Sequence, residues 1–179
     1  MKVTQPLPDE YAGFLGNYIN RVHGDVFAFM DANHAALHTA LVNVSDEQAS
    51  VRPAPDEWSI KEVIGHLSDT ERIFAYRALR FARNDATPLP GFDQDAYVPA
   101  GDFNAHSLSD VLRAFDIVRA ATLSFFATCS SEALLRRGTA SNNTASARAF
   151  LYAIAGHEDH HLESLRDVYL KQVTHGTSS

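Results

Sequence analysis

Apolar residues recur at steps of three and four along four separate stretches of this 179-residue chain, which is the spacing of an α-helix with one buried face. The stretches run roughly over 20–44, 59–84, 107–128 and 146–172. Segments with proline and glycine separate them, and nowhere do apolar and polar residues alternate as in a strand. The sequence therefore predicts an all-α fold, a four-helix bundle.

The second stretch has the clearest start. Ser59 and Glu62 form the pattern in which each side chain caps a backbone N–H group of the first helical turn. Trp58 before the cap and Val63 after it are spaced as a hydrophobic staple. Asn84 is predicted to end this helix.

One domain is predicted to occupy the whole chain, 1–179. Residues 1–19 are expected to form an arm that packs on the bundle, and 173–179 a flexible tail. The connection over 85–103 contains three prolines and two glycines and is long for a link between neighbouring helix ends. We therefore expect it to cross between distant ends of the bundle or to carry function.

Composition excludes several classes of protein. The formal net charge is −7, and no run of Lys and Arg offers the basic face that a nucleic-acid-binding protein needs. No stretch approaches the roughly 18 consecutive apolar residues of a membrane span, and the N-terminus has no apolar signal-peptide core. We expect a cytoplasmic protein that binds neither nucleic acid nor membrane. The lone cysteine, Cys129, is expected to be a small buried apolar residue.

Three of the nine histidines fall within the run H-E-D-H-H at 157–161. On a helix, His157 and His161 lie in the middle of an apolar stripe about 80° wide, whereas His160 points aside. Two stacked core imidazoles would each need a polar partner. Alternatively, their i,i+4 spacing allows both to hold one divalent metal ion, and this second interpretation is favoured.

A third ligand would have to come from another helix. His34 and His38 share the i,i+4 spacing, but their neighbours suggest a solvated, structural face, and His66 lies at the edge of the second helix's stripe. The full set of candidates is His23, His34, His38, His66 and His106.

Two runs carry a family resemblance. W-S-I-K-E-V-I-G-H-L-S-D-T-E-R at 58–72 and A-I-A-G-H-E-D-H-H-L at 153–162, with L-P-G-F-D in the long connection, resemble the DinB/YfiT-like superfamily of metal-dependent hydrolases and thiol-dependent transferases. The resemblance implies a four-helix bundle of up-down-down-up topology with a metal held by His66, His157 and His161. It also implies a homodimer and, in some members, a low-molecular-weight thiol such as bacillithiol or mycothiol.

Three imidazole ligands would leave a coordination position open, as in catalytic zinc sites. Zn²⁺ and Ni²⁺ suit imidazole best and Fe²⁺ is possible. A water or thiol in the open position would lose its proton more readily. The predicted function is therefore a thiol S-transferase or a hydrolase acting on a small molecule. The alternative is a non-catalytic metal-binding or dimeric interaction module with a vestigial site.

Two acidic residues lie near the predicted ligands. Asp69 and Glu158 are candidates to orient the imidazoles or to act as general base, or else are exposed helix charges. In the long connection, Asp93, Asp95 and Tyr97 could line a substrate mouth or simply reflect loop composition. The run H-E-D-H-H also matches the zincin motif H-E-x-x-H, with Asp167 as the third ligand. The missing glycine at position 164 and the lack of strands disfavour that interpretation.

Overall fold

The computed structural model describes residues 3–169. Four long helices account for the predicted bundle, and shorter helices connect them. In chain order the helices are α1 (Gly13–Ile19), α2 (Val26–Leu41), α3 (Asp46–Ala49), α4 (Ile60–Ala82), α5 (Gln94–Gly101), α6 (Leu108–Ala127), α7 (Ser131–Leu135) and α8 (Ala147–Ser164). A π-helical turn, Leu165–Tyr169, continues α8. The predicted tail, 173–179, and the predicted end of the last helix near residue 172 lie outside the described residues.

Side-chain caps determine where the long helices begin. Ser59, Ser107 and Ser146 each accept a hydrogen bond from a backbone N–H of the first turn, so the three predicted starts are confirmed. The predicted end of α4 is also confirmed, because Asn84 adopts a left-handed conformation directly after it, with φ of 60°. Helices commonly end at such a residue.

The predicted start of the first helix near Asn20 is wrong. The arm contains its own helix, α1, which ends at Ile19. Gly24 then takes a φ of +79°, and Asp25 caps a new helix, α2, by accepting from the N–H groups of Phe27 and Ala28. A positive φ breaks a right-handed helix, so the predicted stretch 20–44 contains only α2, which begins at Val26.

The expectation that the chain has no strands is also wrong. Two four-residue strands, β1 (Arg137–Ala140) and β2 (Asn143–Ser146), form an antiparallel hairpin. Ser141 and Asn142 make its two-residue turn with φ of 50° and 63°, which is typical of a type I′ hairpin. The strands are too short and too polar to show an alternating pattern. Leu89 pairs with β1 and thereby attaches the long connection to the hairpin.

The core forms two clusters. One combines the first halves of α2 and α8 with the second half of α4. The other combines the second half of α2 and the end of α8, with its π-helical turn, with the first halves of α4 and α6. This distribution is what the up-down-down-up order requires, and the order itself stays a prediction. None of the helices within 3–169 is long and apolar enough to cross a membrane.

A buried ion cluster ties three of the four long helices together. Arg119 of α6 donates to Glu71 of α4 through Nη2 and to Glu158 of α8 through Nη1, both at 2.8 Å. All three side chains are buried. Because charges removed from water are costly unless paired, this cluster fixes how α4, α6 and α8 are rotated toward one another.

Replacing Ser59 by Ala should lower the free energy of unfolding by about 1 to 2 kcal/mol, because the Glu62 N–H loses its acceptor at a buried helix start. Denaturant unfolding followed by circular dichroism measures the loss. Ser45→Ala removes the same capping pattern from the exposed, four-residue helix α3 and should cost less. Equal losses for the two variants would contradict this account.

Replacing Arg119 by Met should destabilise the protein by about 3 to 5 kcal/mol, because Glu71 and Glu158 would stay buried without a counter-ion. Thermal unfolding measures the effect. The triple variant with Leu also at positions 71 and 158 removes both carboxylates and should recover most of the stability. A single variant as stable as the wild type would show that the cluster does not fix the packing.

Candidate metal centre

Helices α4 and α8 bring the three predicted histidines together. The Nε2 atom of His157 lies 3.0 Å from Nε2 of His66 and 3.1 Å from Nε2 of His161. The three ligand atoms all fall within 4.8 Å of one another. His66 and His157 are buried and His161 is half-buried.

The chemistry of these nitrogens fits a divalent cation. A neutral imidazole Nε2 atom carries either one hydrogen or one lone pair, so His157 cannot satisfy both neighbours with well-directed hydrogen bonds. A metal–nitrogen bond of about 2.0 to 2.1 Å with tetrahedral geometry separates ligand nitrogens by about 3.3 Å. The observed separations are close to this value, and a shared cation would satisfy all three nitrogens.

The protein environment keeps the three imidazoles uncharged. Burial lowers the pKa of His66 to about 4. Burial first, and then the neighbouring His66 and His160, lower the pKa of His161 to about 3. The pKa of His157 falls well below its usual value for the same kinds of reason. Near neutral pH all three residues are therefore free to coordinate a metal.

Aromatic rings hold the histidines in place. Trp58, the predicted staple residue, lies 4.8 Å from the ring centroid of His66. Tyr18 of α1 lies edge-on to His157 at 5.0 Å. This contact was not predicted, because it depends on Gly156: a Cβ atom there would lie 1.9 Å from the Tyr18 carbonyl oxygen. Gly156 thus lets α1 lie directly on α8 beside the metal centre.

The two predicted acidic residues lie elsewhere. Glu158 is only 1% exposed, so it is not an exposed helix charge, and its carboxylate contacts Arg119 and His34. Asp69 is half-buried, which raises its pKa, and accepts a hydrogen bond from Arg72. Neither carboxylate has a described hydrogen bond to the three histidines. Their roles as orienting group or general base stay predictions.

The second i,i+4 pair, His34 and His38, contacts other helices instead of forming the solvated face that was expected. The Nε2 atoms of His34 and His38 lie 2.9 and 2.8 Å from Oδ1 of Asp116, which connects α2 to α6. A hydrogen bond with Glu158 raises the pKa of His34. These two histidines and Asp116 form a second group whose geometry could hold an ion.

The remaining predictions can also be placed. His160 is exposed and Cys129 is buried, as predicted. Asp167 is exposed on the π-helical turn, whereas His66 completes the group of three with the histidines of α8. The structure therefore offers no support for the zincin interpretation.

Two clefts reach the candidate centre. One, of about 370 Å³, contacts His157, and the other, of about 280 Å³, contacts His161. Asp93 lines the first cleft and Asp95 the second, so the long connection does contribute to both. Tyr97 is half-exposed and packs against Phe92. Two clefts thus border the candidate centre, one beside His157 and the other beside His161.

Comparisons with known proteins agree with this architecture. YfiT from Bacillus subtilis, described as a probable metal-dependent hydrolase with an unusual four-helix bundle topology, superposes with a TM-score of 0.71 at 15% identity, covering 82% of this chain and 85% of YfiT. TT2238, a four-helix bundle protein, superposes with a TM-score of 0.57 at 21% identity, covering 79% of this chain and 95% of TT2238. No functionally curated protein matches the sequence.

The sequence itself identifies the family. The family model of the DinB superfamily matches residues 30–165, a region that includes all three histidines of the candidate centre. The chain belongs to the DinB superfamily and has its four-helix bundle fold.

Proposed function

We propose that this protein is a divalent-metal-dependent enzyme that acts on a small molecule, with hydrolysis as its first candidate reaction. The observation that carries the proposal is the convergence of three uncharged imidazoles at a point reached by two open clefts. Open three-ligand sites are typical of catalytic metals, whereas structural zinc sites are closed by four protein ligands.

In this proposal His66, His157 and His161 hold the ion, with Zn²⁺ or Ni²⁺ as the best match to imidazole ligands and Fe²⁺ as a third choice. The ion would supply a Lewis acid and would lower the pKa of a water or thiol at its open position. Tyr18 and Trp58 would exclude bulk water from two of the imidazoles by packing against their rings.

Hydrolysis is favoured by the acidic side chains near His161. Asp56, Glu57 and Asp95 line the same cleft as that histidine, and carboxylates are suited to accept a proton from an attacking water. The description of YfiT as a probable metal-dependent hydrolase supports the same reaction class.

Thiol transfer is the second candidate. The cleft beside His157, at about 370 Å³, is within the size range of small-molecule and cofactor sites. A low-molecular-weight thiol could therefore enter it. A non-catalytic module with a vestigial site is disfavoured, because such a site would be filled rather than open to two clefts. The homodimer implied by the family resemblance stays a prediction.

The proposal predicts about one tightly held ion per chain, bound by the three histidines. Mass spectrometry of protein dialysed after loading with Zn²⁺ or Ni²⁺ should find it in the wild type and not in His157→Ala. His38→Ala is the matched control, because it changes the His34–His38–Asp116 group instead. Metal that persists in His157→Ala but disappears in His38→Ala would contradict the proposal.

The same proteins test the reaction. Loaded wild type should hydrolyse 4-nitrophenyl butyrate, or transfer bacillithiol to monobromobimane, and His157→Ala should do neither. Turnover of the ester without any thiol selects hydrolysis. A loaded wild type that is inactive in both assays would favour the non-catalytic module.

The metal-free protein should lose stability as the pH falls from about 6.5 toward 4. Unfolded histidines bind protons near pH 6.5, whereas folded His66 and His161 bind them near 4 and 3. Between these values the unfolded state binds more protons, so acid favours unfolding. Urea unfolding at several pH values measures the slope, which His161→Leu should reduce and His23→Leu, at an exposed position, should not. Identical slopes in all three proteins would refute the prediction.

A further inference from the structure

Arg77 of α4 is a buried cation that forms no ion pair with any residue in 3–169. Its side chain lies in the interior, with 3% of the residue exposed. Every other buried Lys, Arg, Asp or Glu within residues 3–169 has an oppositely charged partner. These pairs are Glu10 with Arg148, Lys61 with Asp46, Glu62 with Arg52, and Arg119 with Glu71 and Glu158. A buried charge without a partner is costly, so Arg77 needs an explanation that the others do not.

The described hydrogen bonds of Arg77 use only one nitrogen of its guanidinium. Nη2 donates to the carbonyl oxygen of Pro90 and to Oγ of Ser141, both at 2.9 Å. An arginine carries five N–H donors, so those of Nε and Nη1 have no described acceptor. Among the described residues, only Ser68 Oγ is both sealed from solvent and unpartnered. The Nε and Nη1 atoms of Arg77 therefore keep some contact with solvent, although the residue as a whole is only 3% exposed.

Arg77 lines the cleft that also contacts His157. The guanidinium carbon of Arg77 lies 6.0 Å from the ring centroid of Phe74, and this centroid lies 6.4 Å from that of His157. One phenyl ring thus separates the free cation from the candidate metal centre. The cleft walls between them are largely aromatic, with Phe14, Tyr18 and Phe92 completing them.

We propose that Arg77 binds the carboxylate of the substrate, whose apolar body lies against the aromatic walls and whose reacting group points toward His157. The inference depends on the proposed function only in calling this ligand a substrate. The anion site itself needs no metal. A carboxylate would supply the counter-ion that Arg77 lacks, through charge-assisted hydrogen bonds to Nε and Nη1.

The charges of the cleft favour a monoanion. Asp93 lines the same cleft, and its Oδ1 accepts hydrogen bonds from the N–H groups of Asp95 and Ala96 at the start of α5. Asp93 is exposed, and Arg77 is the only cation among the described residues that line the cleft, so a single guanidinium is available to neutralise a monoanion but not a phosphate dianion. Burial lowers the pKa of Arg77, and this is the direction expected for a cation whose site still lacks its anion.

A purely structural role does not account for these facts. Arg77 does hold the long connection, through Pro90, to the hairpin turn at Ser141. Two neutral acceptors on one nitrogen suffice for that purpose, and a neutral donor could satisfy them without burying a charge. The accessible Nε and Nη1 atoms are what a ligand-binding role adds.

The test uses metal-free protein, so that it does not depend on the proposed function. 4-Phenylbutyrate carries an apolar aryl group and a carboxylate, and 4-phenylbutanamide is its uncharged counterpart. Nitrogen-15 NMR should show a saturable shift of the Arg77 Nε–H signal with the carboxylate. We expect the amide to bind at least about tenfold more weakly than the carboxylate, since it offers no charge-assisted hydrogen bond.

Variants of Arg77 test whether this side chain is the source of the preference for the carboxylate. Arg77→Met should abolish the preference for the carboxylate, and Arg77→Lys should restore part of it. Arg80→Met is the matched control, because Arg80 is on the same helix but pairs with Asp85. Equal binding of acid and amide by the wild type, or no shift at Arg77, would overturn the inference even if Arg77→Met failed to fold. Carboxylate binding in a protein that holds no metal would reject the proposed function alone.

Discussion

The contact between α4 and α8 is the interaction on which the rest of the structure depends. These two helices bury most of their residues and pack along one another, with Phe74 and Phe81 of α4 both against Phe150 of α8. At the other end of the same contact, His66 meets His157. The packing that makes the core therefore also sets the separation of His66 and His157, and no additional element is needed to bring them together.

Much of the bundle could be predicted because its signals are local. The Ser59–Glu62 capping pattern and the three- and four-residue spacing of apolar side chains act within one helix, so a single sequence shows them. The hairpin was missed, and the start of α2 was placed too early, for a different reason. Gly24 has a positive φ, and Ser141 and Asn142 form a type I′ turn. These backbone conformations are stabilised by the surrounding chain, and the spacing of apolar side chains does not predict them.

The residues of the candidate site likewise fall into those that a local pattern predicts and those that only the fold brings together. His157 and His161 were found from their place in one helical stripe, whereas His66 lay at the edge of its stripe and was reached through the family resemblance. Glu158 was placed beside the metal by its position next to His157, but its carboxylate faces Arg119. Arg77 gave no sequence signal, because an arginine on a helix is ordinarily solvated. Only the three-dimensional structure shows that Arg77 forms no ion pair with the described carboxylates.

Gly156 has a consequence for how members of this family can differ. It admits α1 against α8 and so places Tyr18, with Phe14, in the wall of the cleft. Both aromatic residues precede residue 30, where the match to the family model begins. Two descendants of a common ancestor could therefore keep identical ligands and diverge in this wall. Selection for a new substrate can act on the N-terminal arm while the helices that carry the three histidines stay unchanged.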